Sequence, residues 1–132
     1  MLEAWVPHLN IARLVVADDE AARQPLMQAA MSLAVPPSVE VLICSLEQTD
    51  FAALASDPVP TLVLLRDVAA ALTARKLGLP DGPLNVGNVH SGLGRAQVTR
   101  SVFLTEDERE ALKHSGMTVT LQAVPSEAAI PL

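Results

Sequence analysis

What most constrains this chain is an alternation. Short apolar runs rich in β-branched residues recur along its 132 residues, and most are separated by stretches with the periodicity of an amphipathic helix. The runs are ARLVVA (12–17), VEVLIC (39–44), PTLVLLR (60–66), PLNVG (83–87), VTRSVFL (98–104) and MTVTLQAV (117–124). Several are apolar on both faces, as strands covered by helices on two sides should be. The alternation predicts an α/β fold: three αβα layers around an open, mainly parallel sheet of about six strands. The 98–104 run is expected beside 83–87, with 117–124 beyond it towards an edge.

The intervening segments carry helix signals. Leu2, Trp5, Val6 and Leu9 sit at helical spacing from the very start. Gln24-Pro25 opens a second helix, with Leu26, Met27, Ala30, Met31 and Ala34 expected on its buried side. Ser45 and Gln48 are spaced as a capping box for a helix carrying Phe51 and Leu54. Asp67 caps a helix from Val68 to Leu77, which Gly78 and Pro80 end. Thr105 and Glu108 make a second capping box. Glu106 and Asp107 suit that helix's positive start, and Lys113 and His114 its negative end before Gly116. One stretch breaks the alternation: in PLNVGNVHSGLGRAQVTRSVFL two strands follow each other through a Gly-rich loop. The tail PSEAAIPL is expected to dock loosely.

Half of the residues are apolar, enough for a core, yet only Trp5, Phe51 and Phe103 are aromatic. Ala, Val and Leu must fill the interior. A chain of this length reads as one domain, residues 1–132, that buries roughly two-thirds of its unfolded surface. No apolar run approaches the ~20 residues that span a bilayer, and no signal peptide is visible. The single cysteine, Cys44, excludes an internal disulfide and fits a reducing compartment. A net charge of -6 without a basic cluster argues against nucleic acid. A cytoplasmic location is expected.

Three features invite a functional reading. Asp18-Asp19, at the end of ARLVVA, suggests a receiver-like phosphoacceptor, in which paired carboxylates hold Mg²⁺. That reading needs an acceptor Asp after VEVLIC, where Cys44-Ser45 stands, and a strand-end Lys, whereas Lys76 and Lys113 fall within helices. A carboxylate cap at a helix start is the plainer account, and no metal site is assigned. Cys44 has no basic neighbour or Gly-rich loop to lower its pKa, so a buried structural thiol is expected rather than a nucleophile. The loop NVGNVHSGLG lacks the Gly-Lys-Ser/Thr ending of a nucleotide P-loop. It is either a plain turn or one wall of an anion site built from backbone N–H groups, with His90 as an acid–base or phosphate contact. His8 and His114 read as solvated or cap-related.

Taken in order, LEAWVPHL, RLVVADDEAA, PLMQAAMSLAVPPSVEV, LNVGNVH, SVFLTEDEREAL and VTLQAVPSEAAIPL resemble the IIB component of mannose/fructose/sorbose-type sugar phosphotransferase systems. The resemblance covers nearly the whole chain. It implies a mainly parallel sheet with helices on both faces and no cofactor. It also implies a histidine that takes phosphate from a IIA phosphohistidine and passes it to a sugar entering through membrane IIC and IID components. A phosphoramidate is labile enough to hand its phosphoryl group onward. In the family, the segment matching LEAW follows a strand containing Arg and Asp and then His-Gly-Gln. The resemblance thus places the acceptor histidine, its loop and the first family strand before Met1, and no catalytic role falls on any residue present.

Three expectations follow from this. The chain as written is expected to be inactive in phosphoryl transfer, either because Met1 is not the natural start or because the chain is a regulatory, partner-binding relic; a homo-oligomer is compatible with both. The absent strand belongs mid-sheet, between the 60–66 and 83–87 strands. What remains of the phosphate site is expected at the carboxyl ends of the strands: Asn85, Gly87, Asn88 and His90, with Arg66 and Asp67, and Asp18 and Asp19 nearby. Arg66 is the strand-end cation of this set and the expected phosphate contact.

Overall fold

The computed structural model describes Leu2–Leu132; Met1, and with it the expectation about the natural start, lies outside the described residues. The chain forms two compact units, one ending at Leu79 and one running from Pro80 to Leu132.

The first unit contains α1 (Leu2–Leu9), β1 (Arg13–Ala17), a 3-10 turn (Ala21–Arg23), α2 (Pro25–Leu33), β2 (Glu40–Cys44), α3 (Phe51–Ser56), β3 (Thr61–Leu64) and α4 (Val68–Lys76). Its strands are parallel in the order β2-β1-β3, with Val15 opposite Leu42 on one side and Val63 on the other. Because β1 is central, all five of its residues are buried. Successive side chains on a strand point to opposite faces. Leu14 and Val16 therefore join Val6 of α1, with Met27 and Met31 of α2 packed against them. Ala17 faces the other way, clustered with Phe51 of α3 and Ala74 of α4, and Val63 packs there too. Two helices on each face give this unit the expected αβα layers.

The helix starts are only partly as expected. Pro25 does open α2, but Leu26 and Ala30 turn outward, and Leu26 and Leu33 are each 87% exposed. A helix this short over a sheet buries one narrow stripe, here Met27 and Met31, rather than a broad face. The helix carrying Phe51 starts later than expected. Asp50 caps it by accepting the Ala53 N–H at 3.0 Å, whereas Ser45 and Gln48 close a preceding turn. The Thr49 hydroxyl, donating to Ser45 O at 2.7 Å, locks that turn. Asp67 caps α4 as expected, accepting the Ala70 N–H at 2.8 Å, and Gly78 at φ +116° provides the left-handed residue that ends it.

The second unit contains β4 (Pro83–Val86), β5 (Ala96–Thr99), β6 (Val102–Leu104), α5 (Glu106–Lys113), β7 (Thr118–Leu121) and β8 (Ile130–Pro131). Four expectations are corrected here. Eight strands form among the described residues rather than six. The 98–104 run is not one strand: the chain turns at Arg100-Ser101, and β5 pairs antiparallel with β6, with a register shift between Gln97 and Thr99. The neighbour of β4 is β7, in parallel register, and 98–104 meets the loop after β4, through a bridge from Val102 to Val89 and a hydrogen bond from Ser101 Oγ to Gly87 O. The tail is not loose. β8 pairs antiparallel with β7, and the Leu132 N–H reaches Val119 O at 3.2 Å, satisfying backbone groups that an open edge would leave bare. Hydrogen bonding thus divides the strands into three sheets, in which β3 and β4 are each the last strand of their own.

The capping box of α5 is present in full. Thr105 Oγ1 accepts the Glu108 N–H at 3.0 Å, and the Glu108 carboxylate accepts the Thr105 N–H at 2.9 Å.

Candidate functional site

Parallel strands in register bring their carboxyl ends together, the end at which open α/β sheets hold ligands. In the first unit the chain leaves β1 through Asp18-Asp19-Glu20, β2 through Ser45-Leu46 and β3 through Leu65-Arg66-Asp67. A cleft of about 360 Å³ lies there, lined among others by Asp18, Asp19, Glu20, Arg23, Arg66 and Asp67.

Arg66 is the hub of this cleft. Its Nε donates to both Asp18 oxygens, at 3.1 and 3.2 Å, and its NH2 donates to Asp18 Oδ2 at 3.0 Å and to Glu20 Oε2 at 2.7 Å. Asp18 also accepts the Glu20 N–H at 3.2 Å, and Asp19 accepts the Leu46 N–H at 2.8 Å. The two adjacent carboxylates therefore tie the end of β1 to both neighbours, Asp19 to the β2 side and Asp18 to the β3 side. Burial pushes the Asp18 carboxyl up, but hydrogen bonds from Arg66 and the Glu20 backbone, with the Arg66 charge, bring it below its usual value. Hydrogen bonding to Asp18 and its charge raise Arg66 in turn.

Of the expected site residues, Asp18, Asp19, Arg66 and Asp67 thus meet in one cleft. Sequence reasoning missed Glu20 and Arg23. The signal for Glu20 was a third carboxylate directly after the Asp pair. Arg23 lines the same cleft and makes no hydrogen bond or ion pair through its side chain among the described residues.

In the second unit, Asn85, Gly87, Asn88 and His90 follow one another along the carboxyl half of β4 and the loop beyond it. Neutral hydrogen bonds fix this stretch. Asn85 Nδ2 donates to Gln122 O at 2.9 Å, and Ser101 Oγ donates to Gly87 O at 3.1 Å. Arg95, also missed, donates from NH1 to His90 O at 3.1 Å while its Nε and NH2 grip both oxygens of Glu108. Glu108 feels burial upward, but the Arg95 hydrogen bond and the Thr105 backbone pull its carboxyl below the usual range. The His90 ring is exposed, and its backbone is held.

The remaining candidates have structural surroundings. Cys44 is half-buried, not fully buried as expected, because β2 is an edge strand. It lines a second cavity, of about 240 Å³, with Arg13, Val15, Leu42 and Thr49. Arg13, 9% exposed at the start of β1, donates to Thr61 Oγ1 at 3.1 Å and Asp57 Oδ2 at 3.3 Å, while its NH2 has no partner. His8 meets the Trp5 ring edge-on at 6.0 Å, and His114 Nδ1 lies 2.8 Å from Glu110 O at the end of α5. Among the described residues, no group of three or more His, Cys, Asp or Glu side chains could hold a metal ion. No helix there is long and apolar enough to cross a membrane.

Comparison with known proteins gives a consistent result. The family described as PTS system sorbose subfamily IIB component matches residues 2–132. The N-acetylgalactosamine-specific phosphotransferase enzyme IIB component 2 of Escherichia coli is 30% identical, over 97% of this chain and 84% of that protein. Two crystal structures share the fold. The N-acetylgalactosamine-specific IIB component 1 of Escherichia coli superimposes with a TM-score of 0.85 at 21% identity, over 98% of this chain and 88% of the other. The IIBSor domain of the sorbose permease from Klebsiella pneumoniae gives 0.78 at 24% identity, over 97% and 82%.

Proposed function

The chain belongs to the sorbose subfamily of phosphotransferase-system IIB components, and from that premise we propose that Arg66 and the strand ends around it contact the phosphoryl group that a IIB component relays from a IIA phosphohistidine to an incoming sugar, none of the residues 2–132 forming the covalent bond to it. IIB components of this system work with IIA and with membrane IIC and IID partners. We read residues 1–132 as one IIB domain on the cytoplasmic side of such a transporter, a reading supported by a family match that runs from residue 2 to 132.

The observation that carries the proposal is Arg66. It stands at the carboxyl end of a parallel strand, in a cleft of about 360 Å³, directly before the capped start of α4. A transferring phosphoryl group is stabilised by positioned cations and N–H donors rather than by covalent partners. Arg66 supplies the cation, and Asp18, Asp19 and Asp67 hold the strand ends around it. Asn85, Gly87, Asn88 and His90 are proposed as a separate contact set within the second unit, on a loop that neutral bonds keep in place. None of these residues is given the role of nucleophile. His8 and His114 are engaged with Trp5 and Glu110, and His90 is assigned a contact role.

The test is a titration of the chain with a phosphorylated IIA-type protein, followed by amide chemical shifts. Perturbations are expected at residues 18–20, 66–67 and 85–90, with those at 18–20 and 66–67 lost in Arg66→Gln. Perturbations confined to other surfaces would defeat the proposal. Covalent phosphate on His90 or Cys44 would overturn the contact-only assignment.

A further inference from the structure

A guanidinium offers two bidentate edges, one formed by Nε and NH2 and the other by NH1 and NH2. In Arg66 the first edge is spent on Asp18. The second is the end-on edge, suited to a phosphoryl group. Half of it is already taken, because NH2 also donates to Glu20 Oε2 at 2.7 Å. NH1 has no such partner among the described residues.

The two carboxylates are not equivalent. The Asp18 side chain is 13% exposed and is fixed further by the Glu20 N–H. The Glu20 side chain is 45% exposed, as is that of Arg66, and its other oxygen is held only by the exposed amide of Gln24, at 3.1 Å. An exposed ion pair of this kind is weak and easily exchanged.

We propose that Glu20 is a built-in stand-in for the phosphoryl anion: it occupies the NH2 arm of Arg66 while the cleft is empty and swings out when a phosphoryl group arrives. Asp18 meanwhile keeps the guanidinium aimed. Glu20 is thus a positioning residue that sets what Arg66 accepts. The inference rests on the reading of Arg66 as a phosphoryl contact. The departing carboxylate has a destination, since Arg23 lines the same cleft. The benefit is selectivity by competition. A tethered carboxylate outcompetes weak monoanions such as acetate for one arginine arm, but it yields to a phosphoryl group carrying more charge and three acceptor oxygens.

The test uses the full chain and inorganic phosphate at low ionic strength, with the ¹⁵Nε signal of Arg66 as the probe and isothermal titration as a second readout. The wild-type signal is expected to move with phosphate, and calorimetric binding to vanish in Arg66→Gln. Glu20→Gln keeps the shape and removes the charge. It is expected to bind phosphate about threefold to fivefold more tightly, the size of one exposed ion pair, and to bind acetate measurably where the wild type does not. Glu106→Gln removes the same charge from α5 and is expected to leave both affinities unchanged. If Arg66→Gln binds phosphate as well as the wild type, or nothing binds at all, the Arg66 reading fails and the gate with it. If Arg66→Gln loses binding but Glu20→Gln gains none, the gate alone is overturned. Equal gains in Glu20→Gln and Glu106→Gln would also overturn it, as an effect of net charge.

Discussion

The two units fasten their strand-end loops by different chemistry. In the first, carboxylates do it: Asp19 reaches the Leu46 N–H, and Asp18 grips Arg66. In the second, neutral donors hold backbone carbonyls, from Asn85 to Gln122 and from Ser101 to Gly87, and Arg95 with Glu108 is the ionic addition. Charged ties exchange partners readily when another ion arrives, whereas neutral bonds to carbonyls have little reason to. The first loop set is therefore the more exchangeable of the two, and the second the more fixed.

This contrast presupposes that the charged loops stand on a rigid base, and the largest expected effect tests that base. Leu14 is fully buried on central β1. Leu14→Ala is expected to cost about 2–5 kcal/mol through lost burial and the cavity left behind. Trp5 is the single tryptophan of the chain and lies in the first unit, so its fluorescence during urea unfolding reports there. A loss under about 1 kcal/mol would mean that β1 does not anchor the unit and that the charged ties carry its order.

The next effect belongs to Asp18. Asp18→Asn keeps the shape but leaves Arg66 without its main counter-charge, and is expected to cost about 1–1.5 kcal/mol at neutral pH, the exposed Arg66 side of the pair limiting the loss. Its pH dependence has a definite sign. The folded pKa of Asp18 lies below the ordinary 3.8, so its contribution is complete above that value and drains as pH falls through the folded pKa. The Trp5 unfolding midpoint should thus decline below about pH 4 in the wild type and less steeply in Asp18→Asn. Glu108, lowered from 4.5, follows the same sign in the second unit. Parallel acid profiles for Asp18→Asn and the wild type would break the contrast.

The sequence revealed these features unevenly, for a physical reason. The Thr105–Glu108 box and the Asp67 cap were legible because both ends of each bond lie within one helical turn. RLVVA was legible as a buried strand because a central parallel strand is apolar at nearly every position. Arg66 and Asp18 could be named as strand-end residues from the pattern alone, but their bond joins positions 48 apart and no local signal pairs them. The same holds for Arg13 with Asp57 and for Asn85 with Gln122, 44 and 37 positions apart. The hairpin at Arg100-Ser101 and the docked tail escaped notice because their pairing is decided by which strand edges remain open, a property of the assembled sheet. Ser45 lost the α3 cap to Asp50 because two competent cappers stood five residues apart, and the Thr49 hydroxyl committed the first to a turn.

A smaller effect is expected at Thr105. Thr105→Ala removes the oxygen that caps the Glu108 N–H and should cost about 1 kcal/mol. Amide exchange in the first turn of α5 should quicken accordingly. No change there would mean that Glu108 alone secures the helix start, which makes the Arg95 tie more important than the contrast allows.

The smallest expected effect decides how far the second loop depends on charge. Arg95 holds Glu108 through two nitrogens and His90 O through a third. Lysine keeps the charge but has no fork, so Arg95→Lys cannot make all three bonds at once. Both side chains of the pair are partly exposed, at 29% and 20%, which limits the loss to about 0.5–1 kcal/mol. Amides in the 90–94 loop are expected to exchange about twofold to fivefold faster, with the Thr105–Glu108 box and the Ser101 bond to Gly87 intact. If the amides of Gly87 and Asn88 loosen too, the neutral bonds are not sufficient and the loop depends on its ion pair as the first unit does. If only the 90–94 amides respond, charge trims the loop's far end while uncharged donors hold the part that follows β4.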